Sequence, residues 1–174
     1  GGRAHAPSHP DPFRNETTVP LMLKGIDRLI NAELLGVLMS MGHGDDILLC
    51  DVNHPAASIA RHTVHGSVVN VSGSGLADTA AAILRLMPLD TFVPSPVTRM
   101  SVVGDPDRIM PIHDAFQQVL DRAENRPVGV EALERFEFYA AARNAFAVVR
   151  TSDPGPYGCF LLRKGVVSYE ESAG

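Results

Sequence analysis

The sequence predicts a single α/β domain with a central sheet flanked by helices, on three observations. Apolar residues recur at helical spacing in several separate stretches, short continuous apolar runs alternate with them, and Gly, Pro, Ser and Asp mark the joints. The 174 residues fit one domain, long enough to bury most of its apolar surface in one core. No internal repeat is visible.

Order is expected to begin near Leu21. From Gly25 to Met41, residues such as Ile26, Leu29, Ile30, Leu34, Val37 and Leu38 fall at helical spacing. Asn31 and Glu33 mark a break between a short turn and the main helix, and Gly42 follows as the stop. Ile47 to Cys50 is a continuous apolar run, the mark of a buried strand. His54-Pro55 opens a turn, Val68 to Val71 is the next strand, and a Ser/Gly loop from Ser72 to Gly75 follows it. Asp78 to Met87 forms a second, Ala-rich helix, stopped by Pro88. Val97 to Val103 forms a strand. Ile109 to Glu124 is an amphipathic helix with Ile112, Phe116, Val119 and Leu120 on one face. A shorter helix covers Phe136 to Ala145. Two strands close the domain, Phe146 to Arg150 and Cys159 to Val167, joined by the turn Asp153-Pro154-Gly155-Pro156.

Composition narrows the function. A hydrophobic fraction of 45% with 20% charged residues belongs to an ordinary globular protein. The formal net charge of −5 argues against nucleic-acid or anionic-membrane partners, both of which want a basic field. Two cysteines, Cys50 and Cys159, sit among strand residues and read as small buried hydrophobes. Residues 1–20 lack the apolar core of a secretory signal and are expected to form a flexible lead. The domain is expected over 21–169, with a tail at 170–174. No apolar run is long enough for a transmembrane helix, so the expected location is the cytoplasm.

Two polar clusters at strand ends carry candidate chemistry. The first is Gly42-His43-Gly44-Asp45-Asp46 ahead of a buried strand, with Asp51 at that strand's far end. A His between glycines is open to a small ligand, and α/β sheets place ligands at the carboxyl ends of strands. The alternative is a surface His in a turn, with Asp51 capping a loop. The second cluster is Pro156-Tyr157-Gly158-Cys159. Tyr157 could donate a hydrogen bond or stack on a sugar face, or it could anchor a turn. Arg135, opening Arg135-Phe136-Glu137-Phe138-Tyr139, is either a hydroxyl-binding group or a solvated residue at a helix start. Asp51, His54, His62 and His65 invite a metal, but they lack a repeated ligand spacing, and no metal is expected. Gly73-Ser74-Gly75 is neither a phosphate loop nor a nucleophile elbow.

Taken together, five segments in order resemble the L-fucose mutarotase and D-ribose pyranase family. They are Leu23-Lys24-Gly25-Ile26, Met41-Gly42-His43-Gly44-Asp45, Cys50-Asp51, Arg135-Phe136-Glu137-Phe138-Tyr139, and Tyr157-Gly158-Cys159-Phe160-Leu161-Leu162 before Lys164-Gly165-Val166. The resemblance spans about Met22 to Val167 and implies that family's fold. It implies a cofactor-free isomerase that interconverts the anomers of a monosaccharide, with L-fucose as substrate. The family's catalytic His maps onto His43, its sugar-binding Asp onto Asp51, and its Tyr-x-Asn segment onto Tyr157, Gly158 and Cys159. Cys159 thus stands where the family carries Asn. Ribose-type members carry His at position 135, so Arg135 points to fucose. Tyr157 is a second proton-handling candidate beside His43. A His with an ordinary pKa of about 6.5 suits a reaction that both gives and takes a proton. The resemblance also implies a homo-oligomeric ring, a pentamer or decamer, with sites near subunit boundaries. Ribose pyranose–furanose interconversion, and sugar binding without catalysis, are the alternatives.

Overall fold

Successive residues of a strand face opposite sides of a sheet, so a run that is apolar at every position needs cover on both faces. Asp46–Cys50 (β1) is such a run. Ile47 and Leu49 enter one core, and Leu48 and Cys50 enter a second. The computed structural model describes residues 23–168. The expected lead over 1–20, the onset of order at Leu21, position 169 and the tail at 170–174 lie outside the described residues.

Among the described residues the elements run α1 (Ala32–Ser40), β1, α2 (Ala56–Ala60), β2 (Val68–Asn70), α3 (Leu76–Leu84), β3 (Val97–Met100), α4 (Pro111–Glu124), β4 (Val130–Leu133), α5 (Arg135–Arg143), β5 (Ala147–Arg150) and β6 (Cys159–Arg163). The strands form one sheet in the order β2-β5-β1-β6-β3-β4. β5 is parallel to β1 and β2, β4 is parallel to β3, and β6 is antiparallel to both β1 and β3. Five strands therefore point one way. Their carboxyl ends share one edge of the sheet with the start of β6.

Residues from α1, α3 and α4 cover one face over Ile47, Leu49, Val149, Phe160 and Leu162. Residues from α2 and α5 cover the other over Leu48, Cys50, Val148, Cys159 and Leu161. In the first core Phe160 stacks on Phe116 of α4 with ring centroids 3.7 Å apart. Both cysteines are buried and free, as expected. Among the described residues no helix is long and apolar enough to cross a membrane.

The expected α/β class is observed, with shifts at several bounds. The first helix starts at Ala32 because the Asn31 side chain accepts the Leu34 N–H and caps it there. The third strand stops at Met100, and β6 stops at Arg163, where Lys164 bridges to Leu89 instead. Two elements were not anticipated. α2 has five residues, too few to show a period, and β4 is an edge strand whose Glu131 and Ala132 are exposed. The Asp153–Pro156 turn does not join a hairpin. β5 and β6 lie on opposite sides of β1, so the loop between them crosses over the carboxyl end of β1.

Phe160→Ala should cost about 3–5 kcal/mol, because it empties the middle of the first core and unstacks Phe116. Urea unfolding followed by circular dichroism measures the loss.

Candidate active site

The crossing loop sets the geometry at the carboxyl edge. Asp51 leaves the end of β1 with 2% of its surface exposed. Its Oδ1 accepts the backbone N–H groups of Asn53 (2.7 Å) and His54 (3.0 Å), and its Oδ2 accepts that of Gly158 (2.9 Å). One carboxylate thereby joins the loop after β1 to the start of β6. Burial pushes its pKa up, and the three backbone donors oppose that rise. A Cβ at position 158 would fall 2.5 Å from Leu76 Cδ1 and 3.3 Å from Asp51 Cβ, so any larger residue would have to displace the buried Leu76 side chain.

Tyr157 adopts a left-handed φ of 62°, rare outside glycine and asparagine. Two contacts hold it there. Its hydroxyl oxygen accepts the Val103 N–H at 3.2 Å, which leaves its own O–H free to donate. His113 Nδ1 accepts the Met110 N–H, so the ring proton sits on Nε2 and donates to the Tyr157 carbonyl at 3.2 Å. Burial, then the nearby charge of Arg99, pushes the His113 pKa down and favours this neutral ring.

Beneath Tyr157 lies a buried pair. Cys159 Sγ is 3.1 Å from His54 Nδ1 and 3.8 Å from Asp51 Oδ2. Burial, then the charge of Asp51, pushes the thiol well above its ordinary range, so it keeps its proton and is no nucleophile. Burial pushes the His54 pKa down to about 4. The His54 ring meets Phe138 and Tyr139 edge-on, and its Nε2 is buried without a hydrogen-bond partner. Arg135 opens α5 with its guanidinium 4.7 Å from the centroid of the Phe136 ring, and its Nε is likewise buried and unpartnered. Tyr139 follows one helical turn later. Burial raises its pKa first, and Cys159, Arg135 and Asp51 are all close enough to act on it.

His43 is elsewhere. It precedes β1, while Asp51 follows it, and five residues of strand span about 13 Å. At this opposite edge the His43 side chain is 46% exposed, and its Nε2 lies 3.2 Å from Oδ1 of the buried Asp90. The Phe92 ring meets it edge-on at 5.4 Å. The Phe92 N–H holds the Asp90 carboxyl below the usual range despite burial, and His43 helps. The end of β6 pins this loop, with the Gly44 N–H donating to Lys164 O and the Lys164 N–H to Asp45 O, each at 2.9 Å. A Cβ at Gly165 would fall 2.5 Å from Leu89 O, so glycine lets Asp90 come up beside His43.

The structure thus gathers Asp51, Arg135, Tyr157, Gly158 and Cys159 at one edge and sets His43 at the other. Tyr139, His113 and Asp90 stand beside these residues without having been singled out, and His54 had been weighed only as a metal ligand. Tyr139 was within reach of the sequence, since it lies four positions after Arg135 on one helix; the pairing of His43 with Asp90 carried no signal. The histidines considered for a metal scatter. His65 pairs with Glu33 at 2.9 Å, His62 is exposed and His54 faces Cys159. Among the described residues no three His, Cys, Asp or Glu stand together as a metal site.

A family model described as the RbsD / FucU transport protein family matches residues 24–167, which include every element above. The chain belongs to this family. Among relatives of this RbsD / FucU chain, the fucose mutarotase of Homo sapiens is 41% identical over 149 residues, covering 84% of this chain and 95% of that protein. Among solved structures, the fucose mutarotase of Streptococcus pneumoniae in complex with L-fucose is similar with a TM-score of 0.76 and 36% identity, covering 84% of this chain and 100% of that one. Bacillus subtilis RbsD complexed with D-ribose, at 23% identity and a TM-score of 0.63 over 84% of this chain and 100% of that one, shares the fold. The fold is the one the sequence resemblance implied.

The His54 pair sets a pH dependence. Unfolded, His54 titrates near 6.5; folded, it titrates at about 4. Between those values only the unfolded chain takes the proton. Stability should therefore be full above pH 6.5 and fall by about 3 kcal/mol as the pH drops toward 4. Urea titrations across this window should show that fall in the wild type and a flatter profile in His54→Phe.

Proposed function

We propose that this protein is a mutarotase, a cofactor-free isomerase that interconverts the α and β anomers of L-fucose. One observation carries the reading. At the carboxyl edge the fold leaves hydrogen-bonding groups unspent, namely Arg135 Nε, His54 Nε2 and the Tyr157 O–H, in a chain 41% identical to a human fucose mutarotase. Neutral hydroxyl-rich ligands suit such groups.

Ring opening requires a base to take the proton of the anomeric hydroxyl and an acid to protonate the ring oxygen. The bond from C1 to the ring oxygen breaks, the aldehyde turns about C1–C2, and closure on the other face returns both protons. Each well-placed acid or base contributes about 10²–10⁴-fold. We assign this work to His43, oriented by Asp90, with Tyr157 as its proton partner. Arg135 and the remaining lone pairs of Asp51 hold hydroxyls. Gly158 lets the loop close down on Asp51, and Cys159 holds His54 by Nδ1 and leaves Nε2 to the sugar. His43 and Asp51 stand at opposite edges of one sheet, so His43 must come from a second copy in a closed homo-oligomer. Two buried free thiols suit a reducing compartment, and we place the protein in the cytoplasm.

NMR saturation transfer between the anomeric protons of L-fucose, D-ribose and D-galactose tests the activity. Exchange should be fastest for fucose; fastest exchange in ribose would make the protein a pyranase, and binding without exchange would make it a sugar carrier. His43→Ala should slow fucose exchange by about 10²-fold or more, a loss of about 2.7 kcal/mol in transition-state stabilisation. Subunit sharing has its own test. His43→Ala and Arg135→Met proteins, each impaired, should regain up to about a quarter of the wild-type rate when unfolded and refolded together, because mixed rings contain some sites with both residues intact. No regain would put the whole site in one chain.

A further inference from the structure

Arg99 is a buried cation that the proposed reaction does not use. It sits in β3 between Ala132 of β4 and Phe160 of β6, with 9% of its surface exposed. Its guanidinium makes one long hydrogen bond, Nη1 to Met100 O at 3.5 Å, and no ion pair among the described residues. With so few protein partners, the guanidinium is left to water or a ligand in the adjoining space for its remaining hydrogen bonds.

Beside it a hollow of about 210 Å³ opens under the first turns of α4. Arg99, His113, Asp114 and Gln117 line it together with the stacked rings of Phe116 and Phe160. Both ring nitrogens of His113 are spent on Met110 and Tyr157, and Gln117 Nε2 is spent on Asp121 and the Val128 carbonyl. Arg99 alone among these lining groups is a cation with donors to spare, and the positive end of the α4 dipole adds to its field.

We propose that this hollow is a binding site for a small monocarboxylate with a compact apolar body. The guanidinium fork matches a carboxylate in two parallel hydrogen bonds. Exposed Ile109 and half-buried Val130 also line the hollow and suit an apolar body, and the space of about seven waters, at about 30 Å³ each, fits one ring. The Asp114 carboxylate opposes a second negative charge, which selects against a phosphate dianion. The site lies on the face of the sheet covered by α4, away from His54 and Cys159, and does not depend on the sugar reading.

Benzoate, benzyl alcohol and inorganic phosphate are the probes, titrated into the intact protein by calorimetry. Benzoate should bind with a Kd of about 1 mM or tighter, and the other two at least about tenfold more weakly. Arg99→Met keeps the side-chain volume and should erase the preference for benzoate over benzyl alcohol, whereas Arg99→Lys should keep part of it. Benzoate binding weaker than about 20 mM, equal affinity for phosphate, or an unchanged preference in Arg99→Met would overturn the site. The three probes on the wild-type protein decide the matter even if a variant fails to fold.

Discussion

A strand buried on both faces has no room for polar side chains along its length, so its chemistry is driven to its ends. β1, β5 and the middle of β6 are all of this kind. The polar residues therefore collect at the two edges of the sheet, His43 with Asp90 at one and Asp51 with Tyr157 at the other. The five parallel strands make the second edge the carboxyl edge, where loops from several strands meet. Because β6 alone runs against them, its start lies at the same edge and its end pins the His43 loop at the opposite one. A single antiparallel strand thus touches both clusters.

Asp51 shows how the carboxyl edge is held. Its oxygens take three backbone N–H groups before any ligand arrives. The same carboxylate lies near Cys159, whose thiol stays protonated, while buried His54 stays neutral. Burial has left this edge without a charge of its own, apart from Asp51 and the guanidinium of Arg135. Such a surface recognises by hydrogen-bond direction more than by charge, which suits a neutral sugar. Tyr157 pays a conformational cost in the left-handed region, and the bonds to Val103 and His113 show what offsets it.

The sequence was most legible where one physical signal dominated. The run Ile47 to Cys50 announced a buried strand, the spacing of Phe116 and Leu120 announced α4, and Asn31 marked the place where α1 begins. It was least legible where an element is short or open to solvent. α2 completes little more than one turn, and β4 has two exposed residues in the middle, so neither shows a period. The candidate site followed the same pattern. Asp51 was legible because polar residues at the end of an apolar strand stand out; His113 and Asp90 were not, because their roles depend on Tyr157 and His43, which lie far from them in the chain.

By itself the sequence determined the α/β class, the doubly buried strands and the residue types at their ends, because hydrophobic periodicity and turn chemistry are local. Its five ordered segments also located the family. Only the tertiary structure decided that β5 and β6 flank β1 instead of pairing, and that the loop between them therefore closes over Asp51. It alone placed His43 a strand's length from Asp51 and Tyr157, paired Cys159 with His54, and left Arg99 buried beside a hollow. These outcomes depend on strand order and side-chain facing, which arise from packing between residues distant in the chain, and no local pattern encodes them.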